Sequence, residues 1–193
     1  MMWMIIGGVV LVIIVLVAIV AGMYNGLIGS DQKAKNAWSG ITVQLQRRAQ
    51  LIPNLVEAVK GYAAHEKGVL ENVTKARTAM MSAVDADSPA AAAKADGELQ
   101  GTLKSLFAVA ENYPDLKASQ NFLDLQANLT DTEDKISASR RFYNSAAEDF
   151  NTKRRVFPTN MFANMFGFHT DKEFYDVAEE ERAQIEKPVE VKF

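Results

Sequence analysis

The chain has 193 residues, no cysteine, and a formal net charge of −3 from 21 basic and 24 acidic side chains. The missing cysteine excludes disulfides, thiol chemistry, thiolate metal sites and a lipid-modified cysteine anchor. The mixed, slightly acidic charge provides no basic field of the kind that binds nucleic acid, and a composition rich in Ala and Leu and poor in Pro favours helix over sheet.

The first charged residue is Asp31, and thirteen of the first 24 residues are Leu, Ile or Val. A helix over Met1–Tyr24 would span about 36 Å, more than the ~30 Å hydrocarbon core of a bilayer. Lipid offers no hydrogen bonds, so such a segment satisfies its backbone only as a helix. Positions 1–30 are therefore expected to form a transmembrane anchor with a short juxtamembrane stretch. A cleaved signal peptide is the weaker reading, because no Lys or Arg precedes the apolar run and the run is too long. Lys33 and Lys35, then Arg47 and Arg48, follow the anchor and place the C-terminal domain in the cytoplasm, with the periplasm as the alternative. Ala18, Gly22 and Gly26 form a small-residue row that lets two membrane helices approach closely. Equally, Gly is simply common in such helices.

A heptad then runs from Trp38. One row is Trp38, Leu45, Ile52, Val59, Glu66, Val73 and Met80; the other is Ile41, Arg48, Leu55, Tyr62, Val69, Ala76 and Ala83. This pattern predicts a long amphipathic helix with a coiled-coil-like seam. Pro53 lies inside it and removes one backbone hydrogen bond. The phase survives across Pro53, which favours a kink in one helix over two helices meeting there. Ser88-Pro89 reads as an N-cap followed by Pro at the first helical position. It opens a helix with the stripe Leu99, Leu103, Leu106, Ala110 and Tyr113, broken at Tyr113-Pro114-Asp115. Phe122, Leu129, Ile136, Tyr143, Phe150 and Phe157 recur every seven residues and mark a last long helix ended by Pro158. No segment alternates like a strand. The expected fold is all-α: the anchor, then an antiparallel up-and-down bundle of three to four long helices over 31–157.

Residues 158–193 differ. Seven of the ten Phe lie between Phe150 and Phe193. Met161, Phe162, Met165, Phe166 and Phe168 read as a flap docked on the bundle, or as a protomer contact or membrane-surface element. Beyond Asp171 the chain is acidic, with helix expected only around Glu179–Ile185.

Ala37-Trp38-Ser39, Gln44-Leu45-Gln46-Arg47-Arg48, Leu51-Ile52-Pro53-Asn54-Leu55-Val56 and Val59-Lys60-Gly61-Tyr62-Ala63-Ala64-His65-Glu66 together carry a specific pattern. Glu111-Asn112-Tyr113-Pro114, Thr132-Glu133 and Arg140-Arg141-Phe142-Tyr143-Asn144 extend it. In these stretches the chain resembles the LemA family of bacterial membrane proteins, from Tyr24 to Phe168. The resemblance implies an anchor and a long-helix bundle and no established activity. It also implies kinship with proteins that shape intracellular membrane compartments, as in magnetosome formation. Some members carry a lipidated Cys where this chain has Gly22-Met23-Tyr24, so here the helix itself must anchor.

No residue pattern declares chemistry. Arg48 occupies a seam position where unpaired charge is costly, and a structural ion pair with Glu133 or another acid of the last helix is expected. Arg47 and Arg48 lie too far along the helix for direct headgroup contact. His65-Glu66 lacks a second metal ligand, since Val69 stands where a His-x-x-x-His pair needs an imidazole. His169 has no visible partner. Asn54 is expected to hydrogen-bond at the kink, and Gly61 to allow close helix approach. No cofactor, metal site or catalytic group is expected. The chain reads as a non-enzymatic, single-pass scaffold of the bacterial inner membrane that self-associates, because the later helices are too short to cover the long seam. The alternative is an adaptor for a membrane enzyme such as a peptidase.

Overall fold

The computed structural model describes residues 1–176, and the expected helix around Glu179–Ile185 lies outside them. The described residues are all-α, with no strand: α1 Met2–Lys60, α2 Lys67–Asp85, α3 Pro89–Ala110, α4 Pro114–Lys117, α5 Gln120–Arg155 and α6 Thr159–Phe162. Four long helices joined by short turns make the bundle. The apolar N-terminal part of α1 reaches a mean hydropathy of 3.3 with none of that window buried, so it is long and apolar enough to cross a membrane.

The long heptad helix divides, but not at Pro53. Helix α1 continues through Pro53 and ends at Lys60. Pro53 is exposed, so its ring meets solvent. Its missing N–H would leave the buried carbonyl of Ala49 without a partner. Arg77 Nε of α2 donates to that carbonyl at 2.7 Å, which removes the penalty. The reversal comes instead at residues 61–66. The last turn tightens as Tyr62 N–H bonds to Val59 O at 3.0 Å. Buried Ala63 plugs the turn, and Glu66 N-caps α2 without a side-chain hydrogen bond.

Two seam expectations fail as a result. Tyr62 is 50% exposed, because it lies past the helix end. The α1 seam also needs no second chain: Trp38, Ile41, Leu45, Arg48, Ile52, Leu55 and Val59 are all buried within this one. A chain that folds back at 61–66 covers what one uninterrupted helix would have left open. Helix α3 begins as expected, with Ser88 Oγ accepting from Ala91 N–H at 3.3 Å and Pro89 at the first position. Helix α5 ends at Arg155, so Phe157, placed in its heptad row, is outside the helix and 78% exposed.

The chain forms two compact units. The first comprises Met1–Ala37 and Asn144–Lys172. Its core is Leu27, Phe150 and Ala163, with Phe166 and Phe168 packed against them. Gly167, at φ 87, sits where Phe168 N–H turns back to Ala163 O at 3.0 Å, a backbone conformation that suits glycine. Asp31 pairs here with Lys172 at 2.7 Å and Lys35 at 2.8 Å. The second unit comprises Trp38–Tyr143 and the segment from Glu173.

Arg77→Ala should destabilise the protein by about 1–2 kcal/mol in urea unfolding, because it exposes an unpaired buried carbonyl. In a Pro53→Ala background that cost should largely vanish, since the backbone N–H gained at position 53 restores the helical bond to the Ala49 carbonyl. Equal costs in both backgrounds would show that Arg77 does not act through Pro53.

Candidate functional site

The seam arginine is the most unusual residue of the second unit. Only 2% of the Arg48 side chain is exposed. An isolated charge there would be prohibitively costly. Two helices supply the counter-charge. Arg48 Nη1 binds Asp96 Oδ1 of α3, and Nη2 binds Glu133 Oε2 of α5. Gln100 Nε2, one turn beyond Asp96, donates to both Glu133 oxygens at 3.0 and 3.1 Å. Tyr175 OH donates to Asp96 Oδ2 at 3.1 Å, which brings in the C-terminal segment. One guanidinium thus holds three helices and a returning strap, although Arg48 Nε and Gln44 Oε1 are buried without hydrogen-bond partners.

An aromatic cluster continues the site. Trp38 lies 5.5 Å from Tyr143 and 6.1 Å from Tyr175, centroid to centroid. Trp38 Nε1–H donates to Asp87, whose φ of 53 belongs to the turn between α2 and α3. Tyr143 OH donates to the Glu173 carbonyl at 2.6 Å. Burial, reinforced by the negative charges of Glu173 and Asp87, raises the Tyr143 phenol above its ordinary value. Burial and then Asp96 do the same for Tyr175. Both phenols stay neutral, so both remain donors at any physiological pH.

This arrangement is an ion-pair clamp. The carboxylates that could act as acid or base are both occupied by the guanidinium, Gln100 and Tyr175. No group of three or more His, Asp or Glu gathers to hold a metal among the described residues. Beside the clamp lies an open groove of about 350 Å³ between α3 and α5, lined by Leu103, Lys104, Phe107, Gln126, Leu129 and Thr130 and reaching Arg48 and Glu133. A second groove, of about 500 Å³, runs from Val56 and Lys60 to Leu70 and Lys75.

The structure gathers some of the residues singled out in the sequence and disperses others. Trp38, Arg48, Glu133 and Tyr143 belong to the clamp and its aromatic neighbours, and Arg140 is close enough for its charge to act on Tyr175. Arg47 lies outside, paired with Asp131 at 3.7 Å. There the hydrogen bond from Lys135, against a small burial penalty, lowers the Asp131 carboxyl. Lys60 pairs with Glu57 at 3.2 Å. Gly61, Tyr62 and His65 are exposed in the turn that Glu66 closes, Asn54 is exposed beside Pro53, and His169 is exposed beyond α6. Tyr113 and Pro114 open the short α4. Asn144 is half-buried in the first unit. Ala18, Gly22 and Gly26 lie on the exposed part of α1, with open space around both glycines.

Sequence reasoning missed Asp96, Gln100, Tyr175 and Arg77. For Asp96 a signal existed: Ala92, Asp96, Leu99, Leu103 and Leu106 continue one stripe, so a carboxylate sits at a core position. Nothing in the periodicity marks Tyr175.

The profile of the LemA family matches residues 37–193. The chain belongs to the LemA family. Protein LemA of Metamycoplasma hominis is 30% identical, over 86% of this chain and 72% of its own length. Magnetosome protein MamQ 2 of Paramagnetospirillum magneticum is 25% identical, over 86% of this chain and 70% of its own. Magnetosome protein MamQ of Magnetospirillum gryphiswaldense is 24% identical, over 79% and 65% respectively. The LemA match begins at 37, one residue before Trp38, and so takes in every clamp residue.

Asp96→Ala should lower stability by about 3–5 kcal/mol, because it leaves a buried guanidinium half-neutralised. Arg48→Ala should likewise lower the melting temperature. The double variant Arg48→Met/Asp96→Leu should recover most of the loss. An Asp96→Ala protein that melts like the parent would refute the clamp.

In the first unit, the hydrogen bond from Arg155, then that from Arg154, holds the Asp171 carboxyl below its usual value of 3.8. Burial opposes ionisation of Asp31, but Lys172 and Lys35 outweigh it and lower that carboxyl too. Both folded values are depressed. Their contribution to stability is complete above the unfolded value and disappears as pH falls through the folded ones. Asp171→Asn should therefore melt below the parent from pH 7 down to about pH 5, and the two curves should converge in stronger acid. A gap that persists at low pH would assign the effect to something other than charge.

Proposed function

We propose that this LemA-family protein is a single-pass, membrane-anchored helical scaffold that self-associates and takes part in membrane organisation or remodelling. One observation carries the reading. The bundle buries its own seam, whereas the N-terminal stretch of α1 leaves its apolar side chains exposed from Met1 to Ile19. Water does not tolerate such a surface, and lipid does. Within lipid, the open faces of Gly22 and Gly26 together with Ala18 permit close helix pairing. The clamp makes the bundle a rigid unit for such an assembly, and none of its groups is free for catalysis. The relatives named as magnetosome proteins favour a role at a membrane compartment.

We place the anchor in the bacterial inner membrane with the bundle on the cytoplasmic side. Lys33 and Lys35 follow the span in sequence, and Lys153, Arg154, Arg155 and Lys172 belong to the same compact unit as the anchor. That Lys and Arg excess favours the cytoplasmic side. The groove between Val56 and Lys75, mostly apolar and flanked by Lys60 and Lys67, supports the adaptor reading as the alternative.

Mass photometry of the full chain in native-membrane nanodiscs distinguishes the two. The scaffold predicts defined multiples of the 21.3 kDa chain. Gly22→Leu with Gly26→Leu should lower the multiple while leaving helicity unchanged. A single copy bound stoichiometrically to another protein would replace the scaffold with the adaptor.

A further inference from the structure

The segment after α5 pairs two unusual properties. Residues 156–170 carry no formal charge, the longest such stretch after residue 30, and Lys153-Arg154-Arg155 stand immediately before it. The segment turns back through α6 and packs against α1 at the end of its apolar run. Ala163 shares a buried core with Leu27, and Phe166 meets Tyr24 edge-on at 5.1 Å. Phe162 stacks on Phe166 at 6.2 Å. Along α1, Val20 and Met23 are the first residues of the apolar run to lose exposure, on the face that leads to buried Leu27. Val20 lies about 6 Å further into the span than Tyr24.

Only part of this hairpin serves the core. Met165 is 80% exposed, Phe157 78% and Met161 63%. Three large apolar side chains on an uncharged turn need a reason to face outward. The geometry points to one: the hairpin is an interfacial membrane element that lays Phe157, Met161 and Met165 into the headgroup–acyl boundary of the bilayer that α1 crosses. The apolar run exceeds the hydrocarbon thickness by about 6 Å, so Tyr24 at its end falls at headgroup depth, where aromatic residues concentrate. Phe166, in contact with Tyr24, lies at the same depth. The three exposed side chains lie just before, within and just after α6, and flexible Met adapts well to disordered acyl chains. The bilayer is the occupant because the contact with Tyr24 makes the hairpin continuous with the membrane-facing surface of α1.

This inference rests on the anchor reading, and one experiment separates the two. The chain is cysteine-free, so Met161→Cys and Met165→Cys each carry a single nitroxide at an already exposed position. Ile13→Cys reports the span and Lys67→Cys the aqueous bundle. The full-length variants are placed in nanodiscs of phosphatidylcholine with phosphatidylglycerol, and accessibility to oxygen and to a neutral nickel chelate is measured by power saturation. At 161 and 165 the oxygen-to-nickel ratio should stand several-fold above that at 67 and below that at 13. A ratio equal to that at 67, with 13 still lipid-exposed, would overturn the hairpin's role and leave the anchor intact. Exclusion of both reagents at 161 and 165 would overturn it in favour of cover by a second copy. An aqueous ratio at 13 would remove the anchor and the hairpin's role together.

Discussion

A guanidinium in the middle of a hydrophobic seam constrains everything packed around it. Arg48 sits where its heptad neighbours are Ile41 and Leu55, both fully buried. The charge can be tolerated only if carboxylates arrive from elsewhere with matching geometry. Asp96 and Glu133 come from different helices, so satisfying Arg48 sets the axial register of α3 and α5 against α1 at once. A slide of either helix by one turn would remove a counter-charge by about 5.4 Å. Apolar packing alone discriminates such slides weakly, because Leu stripes repeat. A single buried ion triad does not repeat. Buried ion pairs of this kind add little net stability over apolar packing, so geometry of register is where such a triad has most effect.

The strap that begins at Asp171 reaches that network through Tyr175. Lys172 N–H donates to Asn151 Oδ1 at 2.7 Å, and Asn151 Nδ2 returns a bond to the Lys172 carbonyl at 3.0 Å. The Tyr143 and Tyr175 phenols then take up the Glu173 carbonyl and Asp96 Oδ2. An irregular segment exposes backbone groups that a helix would satisfy internally. Here Asn151 and Tyr143 of α5 supply those partners, which lets a non-helical stretch pack against helices.

Periodicity made the helices legible, and local backbone chemistry decided where they end. The rows through Trp38 and Ile41 found the buried face of α1 correctly as far as Val59. They continued without a phase break into α2, because Glu66 and Val73 keep the seven-residue spacing across a turn. Two antiparallel helices that bury the same seam can preserve a phase that looks like one helix. Pro53 was the conspicuous breaker and proved harmless, since Arg77 compensates for it. That compensation links positions 28 residues apart and leaves no trace in a local window. The true reversal carries only Gly61 as a marker, within a segment of otherwise good helix formers.

The site was half legible for a related reason. Arg48 announced itself as a charge in an apolar row, and Glu133 as an acid on the last helix. The structure puts the two in contact. Asp96 broke the α3 stripe in the same way but preceded the first Leu, where small Ala residues hid the periodicity. Tyr175 follows no repeat at all. The division of exposed apolar surface tells the same story at larger scale. Along α1, large apolar side chains are exposed mainly before residue 30, where water would penalise them and lipid would not. In the second unit, the α1 row from Trp38 to Val59 is covered by the chain's own return. The charge-free hairpin packed on Tyr24 lies where that exposed apolar stretch of α1 ends, so most of the chain's large exposed apolar side chains gather in the unit that holds the N-terminal half of α1.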